Sequence, residues 1–241
     1  TPEGLAALSH VPCRIDTQVS GVPITIQVAS EYPFDGSIRV TVRTPRPVSF
    51  PLWLRIPRWA TGAELTVGER ESYSPTPATY FQMDRIWDGI TALSLELPMA
   101  LRVETRYHDA ASILYGPLVM ALEIGEDWRL VGGTPPHGDW EVYPTTPWNL
   151  ALQLDRSEPS ETVTIRRRPM GDTPFSPEGT PLIATVFGAQ IPEWTLQQGT
   201  AGPAPVSPVH CSGALRQVRL VPFGATNLRI AELETRLHEE S

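Results

Sequence analysis

Apolar and polar residues alternate with a period of two through much of the first hundred positions. Ile24, Ile26 and Val28 share one face against Thr25 and Gln27. Ile38, Val40 and Val42 repeat the arrangement, as do Phe50, Leu52, Leu54 and Ile56, and later Leu93, Leu95 and Leu97. Alternation of this kind is what a half-buried strand requires. Shorter strands are expected at residues 11–15, 63–67, 79–83 and 101–105. Turn chemistry separates these runs: Tyr32-Pro33-Phe34-Asp35-Gly36, Pro57-Arg58-Trp59 and Arg85-Ile86-Trp87-Asp88-Gly89 each hold residues that break regular pairing. No helical period emerges between Ile24 and Thr105.

The most apolar stretch lies at residues 107–123. Two hydrophobic runs, 110–114 and 118–122, flank Tyr115-Gly116-Pro117, which predicts strand, kink and strand. Beyond it the pattern predicts further strands near residues 148–152, 162–165, 181–187, 215–220 and 228–230. Loops are expected at 125–147, 168–180 and 199–208. The expected fold is all-β: two consecutive antiparallel β-sandwich domains of jelly-roll or Ig-like type. Residues 1–10 read as a linker from an upstream domain, 11–106 as the first sandwich, 107–230 as the second, and 231–241 as a charged tail. The start at Thr1 rather than Met fits a piece cut from a longer protein.

Composition sharpens this picture. With 241 residues and 41% hydrophobic content, the chain can bury a core without disulfides. Its 26 prolines are roughly twice the usual share of about 5%, which favours short strands and long loops over helices. A net charge of −8 argues against nucleic acid and anionic membranes as partners. No apolar run is long enough for a spanning helix. The two cysteines, Cys13 and Cys211, have no neighbours at metal-binding spacing. A disulfide between them is open, and cysteine usage leans to a cytoplasmic setting.

Candidate chemistry is sparse. Asp84 and Asp88 bracket Trp87, and Asp139 and Glu141 bracket Trp140. Paired carboxylates beside an aromatic suit glycoside hydrolysis, but Asp88-Gly89 and Gly138-Asp139 read first as turn residues. His108-Asp109 and His137 lack a third metal ligand nearby, and Cys211 beside His210 lacks a base with an orienting partner. The seven tryptophans carry more information. Trp53 is out of phase with Leu52 and Leu54, so it faces away from their core. Trp53 and Trp59 are therefore candidates for an interface with another domain. Trp128 and Trp140, in the long loop, are the candidates for stacking on a sugar.

Several strings share one ordered likeness: Tyr32-Pro33-Phe34-Asp35-Gly36, Leu54-Arg55-Ile56-Pro57-Arg58-Trp59, Trp87-Asp88-Gly89 leading to Leu97-Pro98-Met99, and Gly116-Pro117-Leu118-Val119. Trp148-Asn149 and the run from Leu220 to Ile230 complete it. From about His10 to Ile230 the set resembles the C-terminal part of the β-L-arabinofuranosidase family, glycoside hydrolase family 127. The resemblance implies a parent with an (α/α)6 catalytic barrel upstream, holding zinc and a cysteine nucleophile. Neither Cys13 nor Cys211 matches that zinc motif, so no catalytic residue and no metal ligand is assigned here. The implied role is non-catalytic: packing on the barrel as its partner, with homodimerisation as a further role. The alternative is a carbohydrate-binding module that uses exposed tryptophans.

Overall fold

A computed structural model describes residues 4–237. The chain divides into two units, residues 1–100 and 101–241, and among the described residues the regular elements of both are strands, apart from three short 3-10 turns in the second.

The first unit contains β1 (Leu5–Ala7), β2 (Cys13–Val19), β3 (Val22–Ser30), β4 (Ser37–Ile56), β5 (Glu64–Val67), β6 (Glu71–Tyr73) and β7 (Thr79–Glu96). Their order is β2-β3-β4-β7-β5-β6, with β1 parallel to β4. Strands β4 and β7 run antiparallel along nearly their whole length. The register breaks between Thr44 and Val48, where Pro45 and Pro47 cannot donate to the ladder. This irregularity divides the sheet into two layers. Residues before it pair with β3 and the end of β7, while residues after it pair with β1 and the start of β7. The inward faces meet in one core that holds every in-phase residue of the alternating runs. Burying such faces against each other is the main stabilising term of a sandwich.

Two expectations change here. Residues 85–89 form no turn, because β7 passes straight through them. Trp87 is fully buried, stacks on Phe50 with ring centroids 5.3 Å apart, and donates from Nε1 to the Phe50 carbonyl at 2.9 Å. Tertiary packing of the largest side chain outweighs the turn tendency of Asp88-Gly89. Residues 1–10 are not simply a linker. Within them β1 adds to the sheet, and His10 is buried with Nε2 2.8 Å from the Arg55 carbonyl. Gly4 also packs tightly, since a Cβ there would come within 2.3 Å of the Pro51 carbonyl oxygen.

The second unit opens with β8 (Leu101–Thr105), which pairs with β9 (Ala111–Tyr115) and so belongs here rather than to the first sandwich. Next come β10 (Leu118–Leu122), β11 (Glu126–Thr134), β12 (His137–Pro144), β13 (Leu150–Gln153), β14 (Thr164–Arg167) and β15 (Leu182–Gln190). The last strands are β16 (Leu196–Gln197), β17 (Thr200–Ala201), β18 (Ser212–Pro222) and β19 (Glu234–Thr235). The main sheet has the order β19-β13-β15-β18-β10-β9-β8, and β14 also pairs with β15. The kink at Gly116-Pro117 is a tight reversal between β9 and β10. Gly116 takes φ +55°, a conformation that side-chain-bearing residues resist.

Two further differences fall in this unit. Residues 125–147 are not a plain loop, because β11 and β12 form a long hairpin in them. The expected tail is structured as far as it is described. Leu233 exchanges both backbone hydrogen bonds with Ala111, β19 lies parallel to β13, and Leu233 and Glu234 are fully buried. Residues 238–241 of that tail lie outside the described residues.

Candidate functional site

The hairpin β11–β12 carries the sugar-contact candidates. Cross-strand partners are Trp128 with Val142 and Leu130 with Trp140, so these four side chains share one face. Trp128, Leu130 and Trp140 are all exposed. The structure does bring the two tryptophans together, with ring centroids 6.3 Å apart. Their planes meet at 72°, edge to face, so they make a corner rather than the flat platform on which a sugar ring stacks. Trp128 has a second role. Its Nε1 donates to Glu126 at 2.9 Å, and that carboxylate also accepts from the Asn227 backbone at 2.7 Å and side chain at 2.9 Å. Glu126 thus fastens the base of the hairpin to the loop after β18. Burial works against its charge, yet the bonds from Asn227, Leu228 and Trp128 outweigh it and hold the carboxyl below the usual range.

The opposite face of the hairpin is polar. Arg129 pairs with Asp127 at 2.7 Å and lies 4.3 Å over the Tyr143 ring. The Tyr143 hydroxyl donates to Glu141 at 2.6 Å, and this bond pushes the phenol's pKa up. Glu141 is thereby tied to its own strand, and Asp139 lies near the hairpin tip.

Trp53 lies on the face opposite Leu52 and Leu54, half-buried, where the segment at Gly4 crosses its ring. Trp59 is half-buried and packs on the core of its own unit. The same outer face of the first unit carries Tyr80 and Ile86, the latter 67% exposed. Trp194 is buried, donates to the Gly202 carbonyl at 2.9 Å and meets Trp148 edge to face at 5.1 Å.

The remaining candidates are dispersed. Asp84 and Asp88 are exposed on β7. The Nδ1 of His108 lies 2.8 Å from the Ala204 carbonyl, which ties the residue to a loop rather than to a base or metal role. Cys13 and Cys211 are both free, and burial raises the Cys211 thiol, the opposite of activation. Among the described residues no three His, Cys, Asp or Glu side chains converge as metal ligands. The zinc that the family resemblance implies belongs to an upstream barrel, and no donor set among the described residues fits it.

Sequence reading missed one feature of the second unit. Two depressions, roughly 610 and 360 Å³, share Arg229, Ile230 and Ala201 in their walls. The larger is lined by Leu118, Pro222, Phe223 and Trp194, the smaller by Tyr143, Trp148 and Leu196. Nothing in the local sequence marks Arg229, because its setting comes from loops far apart in the chain.

What the arrangement defines is a pair of β-sandwich-like units without a convergent catalytic constellation among the described residues. Residues 4–99 match the family model of the β-L-arabinofuranosidase GH127 middle domain. Residues 4–99 are thus related to glycoside hydrolase family 127, as the resemblance implied, and the model that matches them is named for the family's middle domain. The fold is shared with a GH127 β-L-arabinofuranosidase from Geobacillus stearothermophilus T6, at 23% identity and a TM-score of 0.62, over 93% of this chain and 32% of that one. It is shared too with a structure described as a glycoside hydrolase, at 18% identity and a TM-score of 0.62, over 98% and 36%. A GH127 β-arabinofuranosidase matches at 14% identity and a TM-score of 0.59, over 92% and 32%. The chain thus spans about a third of the length of these structures. No curated protein matches it. The comparisons lend no support to a carbohydrate-binding module.

Proposed function

We propose that this chain is the non-catalytic β-sandwich portion of a glycoside hydrolase acting on arabinofuranosides or related sugars. In this reading it packs on, and supports, an (α/α)6 barrel that carries the chemistry. The observation that carries the reading is the outer face of β4 and β7. Pro51 and Trp53 on β4 lie diagonally across from Ile86 and Tyr80 on β7, with the polar Asp84 and Gln82 directly opposite them and Ile86 67% exposed. A solvated sheet face ordinarily alternates to polar residues. Large apolar side chains on such a face suit cover by another domain. The match of residues 4–99 to a middle domain, which by its name has neighbours on either side, supports the same reading.

The test co-expresses the chain as a separate polypeptide with the helical region of the same protein. The wild-type chain should co-purify with it, while I86K and Y80K should not, with circular dichroism confirming that both variants fold. The chain alone should release no arabinose from a synthetic β-L-arabinofuranoside. Turnover by the isolated chain, or co-purification that ignores both substitutions, would sink the proposal.

A further inference from the structure

We propose that the depression around Arg229 is a binding site for a small organic carboxylate with an apolar body. The arginine is held on two sides. Its Nε donates to the Thr226 carbonyl at 2.8 Å, and its guanidinium carbon lies 5.0 Å over the Phe223 ring, within the range of a cation–π contact. These contacts fix the plane of the group and leave its terminal edge, the Nη1–Nη2 side, as the part that can take a carboxylate through two parallel bonds.

Other arginines near carboxylates in this unit are paired: Arg102 and Arg106 with Glu104, Arg129 with Asp127, and Arg219 with Glu123. Among the described residues no carboxylate pairs with Arg229, although Glu232 lines the same depression. Arg106, across the wall, is satisfied by Glu104 at 2.8 Å. A fixed and unpaired guanidinium beside apolar walls selects a negative ligand, and the walls select its body. Leu118, Pro222 and Trp194 supply the apolar surface, in a space of roughly 610 Å³ that is large enough for an aromatic acid. The inference rests on the second unit alone and stands whether or not the chain packs on a barrel.

Phenylacetate and its neutral isostere phenylacetamide are the probes, titrated calorimetrically into the full-length protein. The acid should bind saturably, at least about tenfold more tightly than the amide, and more weakly as salt rises. R229Q should remove that preference. R229K, which keeps the charge but loses the fork, should weaken acid binding by a smaller factor. Circular dichroism checks that both variants fold. The site is refuted by equal affinity for acid and amide, by an R229Q protein that binds the acid as the wild type does, or by the absence of saturable phenylacetate binding.

Discussion

Ser207 donates its hydroxyl hydrogen to a carboxyl oxygen of Glu234 inside the second unit, joining the proline-rich loop before β18 to the last described strand. The same hydroxyl accepts from the Thr235 backbone at 3.0 Å. The second carboxyl oxygen of Glu234, Oε1, is buried with no hydrogen-bond partner. An unpaired charged oxygen in such a place is costly, and a protonated acid is the cheaper form.

Burial raises the Glu234 pKa. The Ser207 bond and the charges of His108 and Arg156 oppose the rise, and Glu232 adds to it. A pKa raised by folding contributes stability that is fully present below the unfolded value. That stability is lost as pH climbs through the folded one. The wild type should therefore lose melting temperature relative to E234Q as pH rises from the ordinary carboxylate range toward neutrality. Scanning calorimetry of both proteins across that window measures the difference. A constant gap would show that Glu234 stays ionised in the fold.

Glu126 carries the opposite sign. Its pKa is held down by the bonds from Asn227, Leu228 and Trp128, so its contribution is present above the unfolded value and fades as pH falls through the folded one. E126Q should loosen the hairpin base without unfolding the unit. The expected readout is faster amide exchange across β11 and β12 at neutral pH, with β13 and β15 unchanged. Protection equal to wild type in E126Q would mean that other contacts hold the hairpin.

The contrast between the two acids bears on what the sequence could reveal. The alternating runs of the first unit were legible because one face of each is buried, and hydrophobic period then maps directly onto strand direction. All of the in-phase residues from Ile24 to Leu97 lie in its core. The hairpin at Trp128 and Trp140 was hidden because neither of its faces is buried deeply, and its Gly and Pro pairs read as loop. Glu234 was hidden for another reason. A glutamate in a charged C-terminal stretch signals solvent, and it is the pairing of Leu233 with Ala111 and of β19 with β13 that carries it inward. The Arg229 depression is likewise assembled from distant loops, which no local pattern announces.

Gly36 offers a test of close backbone packing. A Cβ at this position would sit 2.0 Å from the Leu97 carbonyl oxygen, and the Leu97 amide donates to the Gly36 carbonyl at 2.9 Å. G36A must therefore push apart the start of β4 and the end of β7. A destabilisation of about 1–3 kcal/mol is expected, by analogy with overpacking in cores. Gly68 provides the control. Open space surrounds it, but its φ of +60° strains any side chain, so G68A should cost about 1 kcal/mol through backbone strain alone. Urea midpoints of the two variants, at equal m-values, give the comparison.

Trp87 is the residue on which the first unit most depends. Its ring is fully buried against Phe50, and its Nε1 satisfies the Phe50 carbonyl across the β4–β7 pair. Removing the ring should cost about 3–5 kcal/mol, a large part of the stability of a domain this size. W87F keeps much of the apolar contact and removes the donor, so it should cost about 1–3 kcal/mol through the stranded carbonyl. The ordering W87A below W87F below wild type, read from denaturant unfolding, separates packing from hydrogen bonding. If W87F and wild type unfolded at the same midpoint, the indole bond would contribute nothing net, and the tryptophan would be held there by its volume alone.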